Sequence, residues 1–278
     1  MNPPNRIPIL MRWLLIALIL GWAWQMFRWS IPLRSLLWNQ ELMEGLIQNW
    51  FGITWAEYAG NPLASRVIDR IQYGLGAVFL LSGLGALFLP ISWRKLRWSL
   101  GITASLILLF VFYLLFREQF YRWGNLVEHS IQMTLPILFC WVVYRQSDPK
   151  LIWLMKAVIA LTFLGHGLYA IGYYPVPGKY IDMLVSIVGL KEAQCLVVLK
   201  IAGVLDVLVA VLIWFPRLTR YVLYYAIVWG SLTALARVVA YWEWAMWVSS
   251  LDQWLNQTLI RLGHGGVPLA LYWMIHRD

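Results

Sequence analysis

The sequence predicts an all-α integral membrane protein with about eight transmembrane helices, arranged as two tandem four-helix bundles. Three observations carry this expectation. Of the 278 residues, 61% are hydrophobic and only 13% charged, against about 45–50% and about 25% in a soluble domain. Mean hydropathy is +0.66, and about eight stretches approach the ~20 apolar residues that a helix needs to cross a bilayer. Finally, the stretches fall into two similar sets of four. This composition excludes an ordinary soluble protein and a disordered chain. It also excludes a nucleic-acid binder, despite a formal net charge of +9.

Taken in order, the expected spans cover roughly 10–28, 71–90, 98–116, 127–145, 151–172, 195–215, 220–242 and 259–276. The first follows Arg6 and Arg12, the charge order of a signal peptide. The residues after it, Gln25 to Trp29, are bulky and offer no cleavage site, so it is read as an uncleaved span. Segment 29–70 carries Leu36, Leu37, Trp38 and an apolar run from Leu42 to Phe51, with Glu41 and Glu44. That pattern suits a re-entrant or interfacial amphipathic helix. The later spans are joined by short turns at 92–97, 145–150 and 216–220, and by longer segments at 117–126, 173–194 and 243–258. Trp98, Trp123, Trp242, Trp244 and Trp247 fit an aromatic belt at headgroup level. Cys140 and Cys195 lie far apart in apolar helices, as small buried hydrophobes rather than a disulfide or metal motif.

Charge placement gives an orientation. The short-turn end holds ten Lys and Arg, among them Arg94, Lys95, Arg97, Arg145, Lys150, Arg217, Arg220 and Arg277, against the acids Asp148 and Asp278. The opposite end holds nine basic and ten acidic residues. The positive-inside rule weighs Lys and Arg in short loops, so both termini are expected in the cytoplasm and the chain in the plasma membrane. The repeat is carried by Pro136, Trp141 and Arg145, whose spacing recurs in Pro268, Trp273 and Arg277. Two halves follow, 1–147 and 148–278, in a parallel repeat about an axis along the membrane normal.

Ionisable groups inside spans are costly and need a partner, water or a route to the interface. Lys156 sits near a span end and can snorkel. The candidate polar pocket comprises His166, His264, Asp206, Arg237, Lys200, Glu128 and His129, with Gln132 beside them. All fall in the outer third of the membrane except Asp206, which lies nearer mid-span. Arg237 or Lys200 is expected to lean toward Asp206. A structural ion pair and a pocket open to the outer leaflet both fit this layer. Gly165-His166-Gly167 and Gly263-His264-Gly265-Gly266 are the most specific local features, since glycine lets helices approach and leaves room around an imidazole. Such histidines suit a structural hydrogen bond, a quinone carbonyl, a proton relay or a metal ion. No acid or thiol stands at metal-ligand spacing, so no metal is expected. Phosphate loops, nucleophile elbows and zincin motifs are also missing from the sequence.

The second half resembles the DoxX/DoxD family of small four-span membrane proteins over about 125 residues. The resemblance begins in the aliphatic run from Ala160 into Gly165-His166-Gly167. It continues through Ala202, Gly203 and Asp206, then Pro216, Arg217 and Thr219, and more loosely through Leu235-Ala236-Arg237. The first half departs from the pattern. Gly21-Trp22-Ala23 stands where the second half has Gly165-His166-Gly167, and the uncharged stretch Gly76 to Gly85 replaces the Asp206 region. The site is therefore expected in the second half.

The resemblance implies a membrane subunit of a quinone- or thiol-linked redox system, with a quinone as cofactor and other protein subunits as partners. Related four-span folds act as cargo receptors. A non-catalytic scaffold or cargo/lipid-binding protein is thus an alternative. A small-molecule transporter is another, favoured by the repeat, although no broken helices are evident in both halves. The sequence leaves open whether the chain is an enzyme.

Overall fold

The computed structural model describes residues 3–276, with side chains from Arg6 onward; Arg277 and Asp278 lie outside the described residues. Helix α1 (Pro3–Arg28) is followed by three short helices, α2 (Leu33–Leu37), α3 (Gln40–Phe51) and α4 (Trp55–Ala59). Segment 29–70 is therefore these helices plus the first turns of the next, rather than one amphipathic helix. Asn39 caps α3 by accepting from the Leu42 amide, and Gly52 ends it with φ 67°, a conformation that glycine adopts without strain. Thr54 and Glu57 form a reciprocal capping box on α4. Hydrogen bonds from Thr54 hold the exposed Glu57 carboxyl below its ordinary range.

Helix α5 (Pro62–Phe88) starts at Pro62, with Asn61 accepting from the Leu63 amide. A short turn leads to α6 (Arg94–Glu118). Arg97 is buried at 2% exposure and donates to the Ala86 and Leu87 carbonyls at the end of α5. The chain reverses through Phe120 and Tyr121, both with positive φ, into α7 (Trp123–Val127). It breaks at Glu128 and His129 and resumes as α8 (Ser130–Tyr144). Asp148 caps α9 (Pro149–Ala170). Then come α10 (Gly178–Val188), α11 (Glu192–Leu212), α12 (Pro216–Ala240), α13 (Trp247–Leu259) and α14 (Gly263–Ile275).

Among the described residues, seven segments, not eight, are long and apolar enough to cross a membrane. They make the chain a multi-pass membrane protein. The expected eighth span, 259–276, is cut short by a turn through Arg261. What remains, α14, has 13 residues, or about 20 Å at ~1.5 Å per residue, against a hydrocarbon core of ~30 Å. The spans expose Leu81, Leu106, Val197, Ile201 and Val228, each more than half accessible. This surface suits lipid rather than water.

Helix α1 packs on α5 and also on α8, α13 and α14. Helix α6 lies on α5 and α8, α9 on α11, and α12 on α14. Close approach is set by small residues. A Cβ on Gly83 would fall 2.6 Å from Ile19, and one on Gly101 2.8 Å from the Cys140 sulfur. The core runs through Leu15, Ile19, Phe79, Leu108, Phe112, Leu135, Phe139 and Leu271. At the loop-rich end α1 is latched to α13. Asp252 accepts from Trp24 Nε1 (3.2 Å) and pairs with Arg28 (3.1 Å). Gln25 Oε1 accepts from Asn256 (2.8 Å) and Gln257 (3.0 Å).

Candidate functional site

Two neighbouring helices leave a gap. Helix α11 is committed mainly to α9, and α12 mainly to α14. Between them, roofed by α10, lies a cavity of about 140 Å³. By contrast α5 and α6 pack closely, with Gly85 against Leu100. The apolar walls include Phe163, Leu199, Trp229, Met183, Leu184 and Ile187; the polar lining is His166, Tyr180, Asp206, Arg237, Arg261 and His264.

Glycines bring these groups together. A Cβ on Gly165 would lie 2.5 Å from the Glu128 amide nitrogen, so only glycine admits the α7–α8 break against α9. One on Gly167 would meet the Gly203 carbonyl at 2.9 Å, which sets α11 on α9 beside Asp206. A Cβ on Gly230 would lie 2.5 Å from the His264 carbonyl oxygen, so glycine there brings α14 onto α12. The two glycine-flanked histidines thereby meet, with ring centroids 5.1 Å apart.

Behind the cavity wall runs a buried polar network whose proton positions follow from one donor. The Trp22 indole only donates, and it gives its hydrogen bond to Gln132 Oε1 at 3.2 Å. That fixes the Gln132 amide. Its Nε2 then donates to His129 Nδ1 (3.4 Å) and His264 Nε2 (3.5 Å), and both ring nitrogens act as acceptors. A neutral His129 therefore carries its hydrogen on Nε2, which lies 3.4 Å from Glu128 Oε1. The His129 ring is stacked on Phe112, centroids 4.1 Å apart. The other Glu128 oxygen is 3.3 Å from His166 Nδ1, and the Tyr180 hydroxyl is 3.2 Å from that same nitrogen. Nδ1 as donor to Glu128 leaves His166 Nε2 as a lone pair. Nε2 is buried and has no protein partner.

Asp206 accepts from the Tyr225 hydroxyl at 2.9 Å. Among the described residues it has no ion pair with a cation, so the expected leaning of Arg237 or Lys200 toward it is not seen. Lys200 lies on the exposed face of α11 and does not line the cavity. His166, His264, Asp206 and Arg237 do line it, and Glu128, His129 and Gln132 back it. Two lining residues escaped the sequence reading. Arg261 looks like a loop charge by position. Tyr180 belongs to α10, whose Tyr180, Met183, Leu184 and Ile187 follow the i, i+3, i+4, i+7 spacing of an apolar stripe. Burial raises the Tyr180 phenol far above its ordinary range, so it stays neutral, and its oxygen accepts from the same Nδ1–H.

Among the described residues no group of three or more His, Cys, Asp or Glu is arranged to hold a metal ion. Compared with protein-family models, with curated proteins and with solved structures, the chain gives no match.

Proposed function

We propose that this chain is a DoxX-like membrane subunit of a quinone-linked redox system, and that the cavity between α11 and α12 receives the quinone head. The observation that carries the reading is the unpartnered, buried Nε2 of His166 on the wall of an apolar cavity. A head with carbonyl or hydroxyl oxygens gives that nitrogen a partner, and apolar walls suit the ring. The residues present therefore fit the group, which when bound supplies two-electron, two-proton chemistry. His166 takes a hydroxyl proton at Nε2 while Glu128 holds the proton at Nδ1 and stabilises the imidazolium. This is the arrangement of a histidine base with a carboxylate behind it. Tyr180 orients the same ring.

The rest of the reading follows the charge and repeat arguments. The chain sits in the plasma membrane with its basic, short-turn end and both termini in the cytoplasm. Its helices form two related four-helix halves, of which the second holds the site. Trp22 and Gln132 of the first half are hydrogen-bonded where the second half sets His166 against His264, which supports the repeat. Electron donors and acceptors come from partner subunits.

Solvent extraction of the detergent-purified protein with mass spectrometry tests the reading. Stoichiometric quinone is expected in the wild type and its loss in His166→Ala. Quinone absent, or equal in both, overturns it and leaves a non-catalytic scaffold or cargo/lipid-binding protein.

One observation favours a transporter as a second reading. The helices before Tyr144 and Ile275 are both broken, at Glu128–His129 and at Ile260–Leu262. Interrupted helices at corresponding places in two halves mark substrate sites in transporters. Substrate-dependent labelling of Cys195, buried at the start of α11, supports that reading, and constant labelling across candidate solutes argues against it.

A further inference from the structure

We infer that the cavity takes the head group of its ligand as an anion, held by Arg237 and Arg261. The inference rests on the amphiphile-cavity reading above, and it concerns what that reading leaves open, the charge of the head.

Both guanidiniums line the cavity. They are close enough to repel one another. Arg261 Nη1 donates to the Gln257 carbonyl and to its side-chain oxygen, both at 2.9 Å. These neutral contacts aim the group without neutralising it. Arg237 has no side-chain hydrogen bond and no ion pair among the described residues. Lys179, on α10, adds a third positive charge in range of both.

The acids nearby are already engaged. Glu128 is in electrostatic range of both arginines, but its two oxygens contact His129 and His166. Asp206 takes a hydrogen bond from Tyr225. Two guanidiniums with no ion pair to a carboxylate among the described residues, on one largely apolar cavity at a membrane depth where unpaired charge is costly, are an incomplete constellation. Their planar donor forks match phosphate or paired oxyanion oxygens. The N-terminal end of α14, which carries His264, adds a helix dipole of the favourable sign beside them.

The shared chemistry is therefore an apolar body with an oxyanion head. It has two sources: the ionised form of a hydroxylated quinone or quinol, and a phosphate-headed lipid. The test measures binding of four probes to the purified full chain at neutral pH by calorimetry. These are 2-hydroxy-1,4-naphthoquinone, which is ionised there, its neutral 2-methoxy ether, decyl phosphate and decanol.

The expected result is binding of at least one anionic probe about tenfold or more tighter than its neutral counterpart. That preference should disappear in Arg237→Gln and Arg261→Gln. Equal affinity for hydroxyl and ether, with no decyl phosphate preference, overturns the anionic head and leaves the quinone reading standing. Decyl phosphate bound while neither naphthoquinone binds supports the anionic head and overturns the quinone reading. No binding of any probe overturns both. The wild-type comparison decides the matter even where an arginine variant fails to fold.

Discussion

Gly165 and Glu128 are in backbone contact: a methyl group on Gly165 would lie 2.5 Å from the Glu128 amide nitrogen and 2.7 Å from its Cα. One missing side chain thus seats a helix break, and with it the carboxylate that contacts His166. Gly165→Ala must push the α7–α8 break away from α9. Overpacking of this kind destabilises by roughly 1–3 kcal/mol. Gly45, in the middle of α3, has nothing within 4 Å of the same added atom, so Gly45→Ala should be neutral or stabilising by up to about 1 kcal/mol. Thermal unfolding of both variants in one detergent checks the contrast, and equal shifts would contradict the packing.

Arg97 should behave as a buried cap rather than as a loop charge. It donates to two carbonyls at the end of α5 and lies 5.5 Å over the Phe139 ring. Arg97→Met leaves those carbonyls unsatisfied, a loss of about 2–4 kcal/mol. Arg97→Lys should recover little, because an ammonium lacks the fork that reaches both oxygens. Arg94→Met, at an exposed position, should stay within about 0.5 kcal/mol. Denaturant unfolding of the three variants measures this.

Tyr225 and Asp206 are expected to couple. Their hydrogen bond is 2.9 Å long and sits on the cavity wall. A double-mutant cycle of Tyr225→Phe and Asp206→Asn should return an interaction of about 1 kcal/mol or more. Additive effects within about 0.5 kcal/mol would mean that the hydroxyl does not hold the carboxyl.

The capping box on α4 should be pH-sensitive. The folded Glu57 carboxyl titrates below its ordinary, unfolded-chain value, so its contribution is fully present above that ordinary value. It is lost as pH falls through the lower, folded value. Amide protection at residues 57 and 58, corrected for intrinsic exchange, should fall on acidification and be insensitive to it in Glu57→Gln. Protection that does not change with pH would contradict the box.

Hydropathy made most of the fold legible, because lipid demands long apolar helices and nothing subtler. It misplaced the ends. The second span was expected from 71 but its helix starts at Pro62, since an asparagine cap followed by proline starts a helix whether or not lipid surrounds it. The eighth span failed because a window average passes over Arg261, and the turn there is a local event. The site was half legible. Depth counting brought His166, His264, Glu128, His129 and Arg237 into one layer with Asp206 deeper, and all six gather around the cavity. Depth does not give azimuth, so Lys200 was included although it points away. Tyr180 and Arg261 lie on loop-side elements whose tertiary placement no span pattern records.

The latch between α1 and α13 has a consequence for biosynthesis. Arg28 and Asp252 are separated by 224 residues, so at ~5–20 residues per second roughly ten to forty-five seconds pass between their emergence from the ribosome. Throughout that interval Trp24, Gln25 and Arg28 stand without the partners they have in the finished protein. Helix α1 enters the membrane long before its contacts with α13 can be completed. Insertion and folding of α1 are thus separate events in time, and an insertase that retained α1 would shelter its polar end until Asp252 arrives.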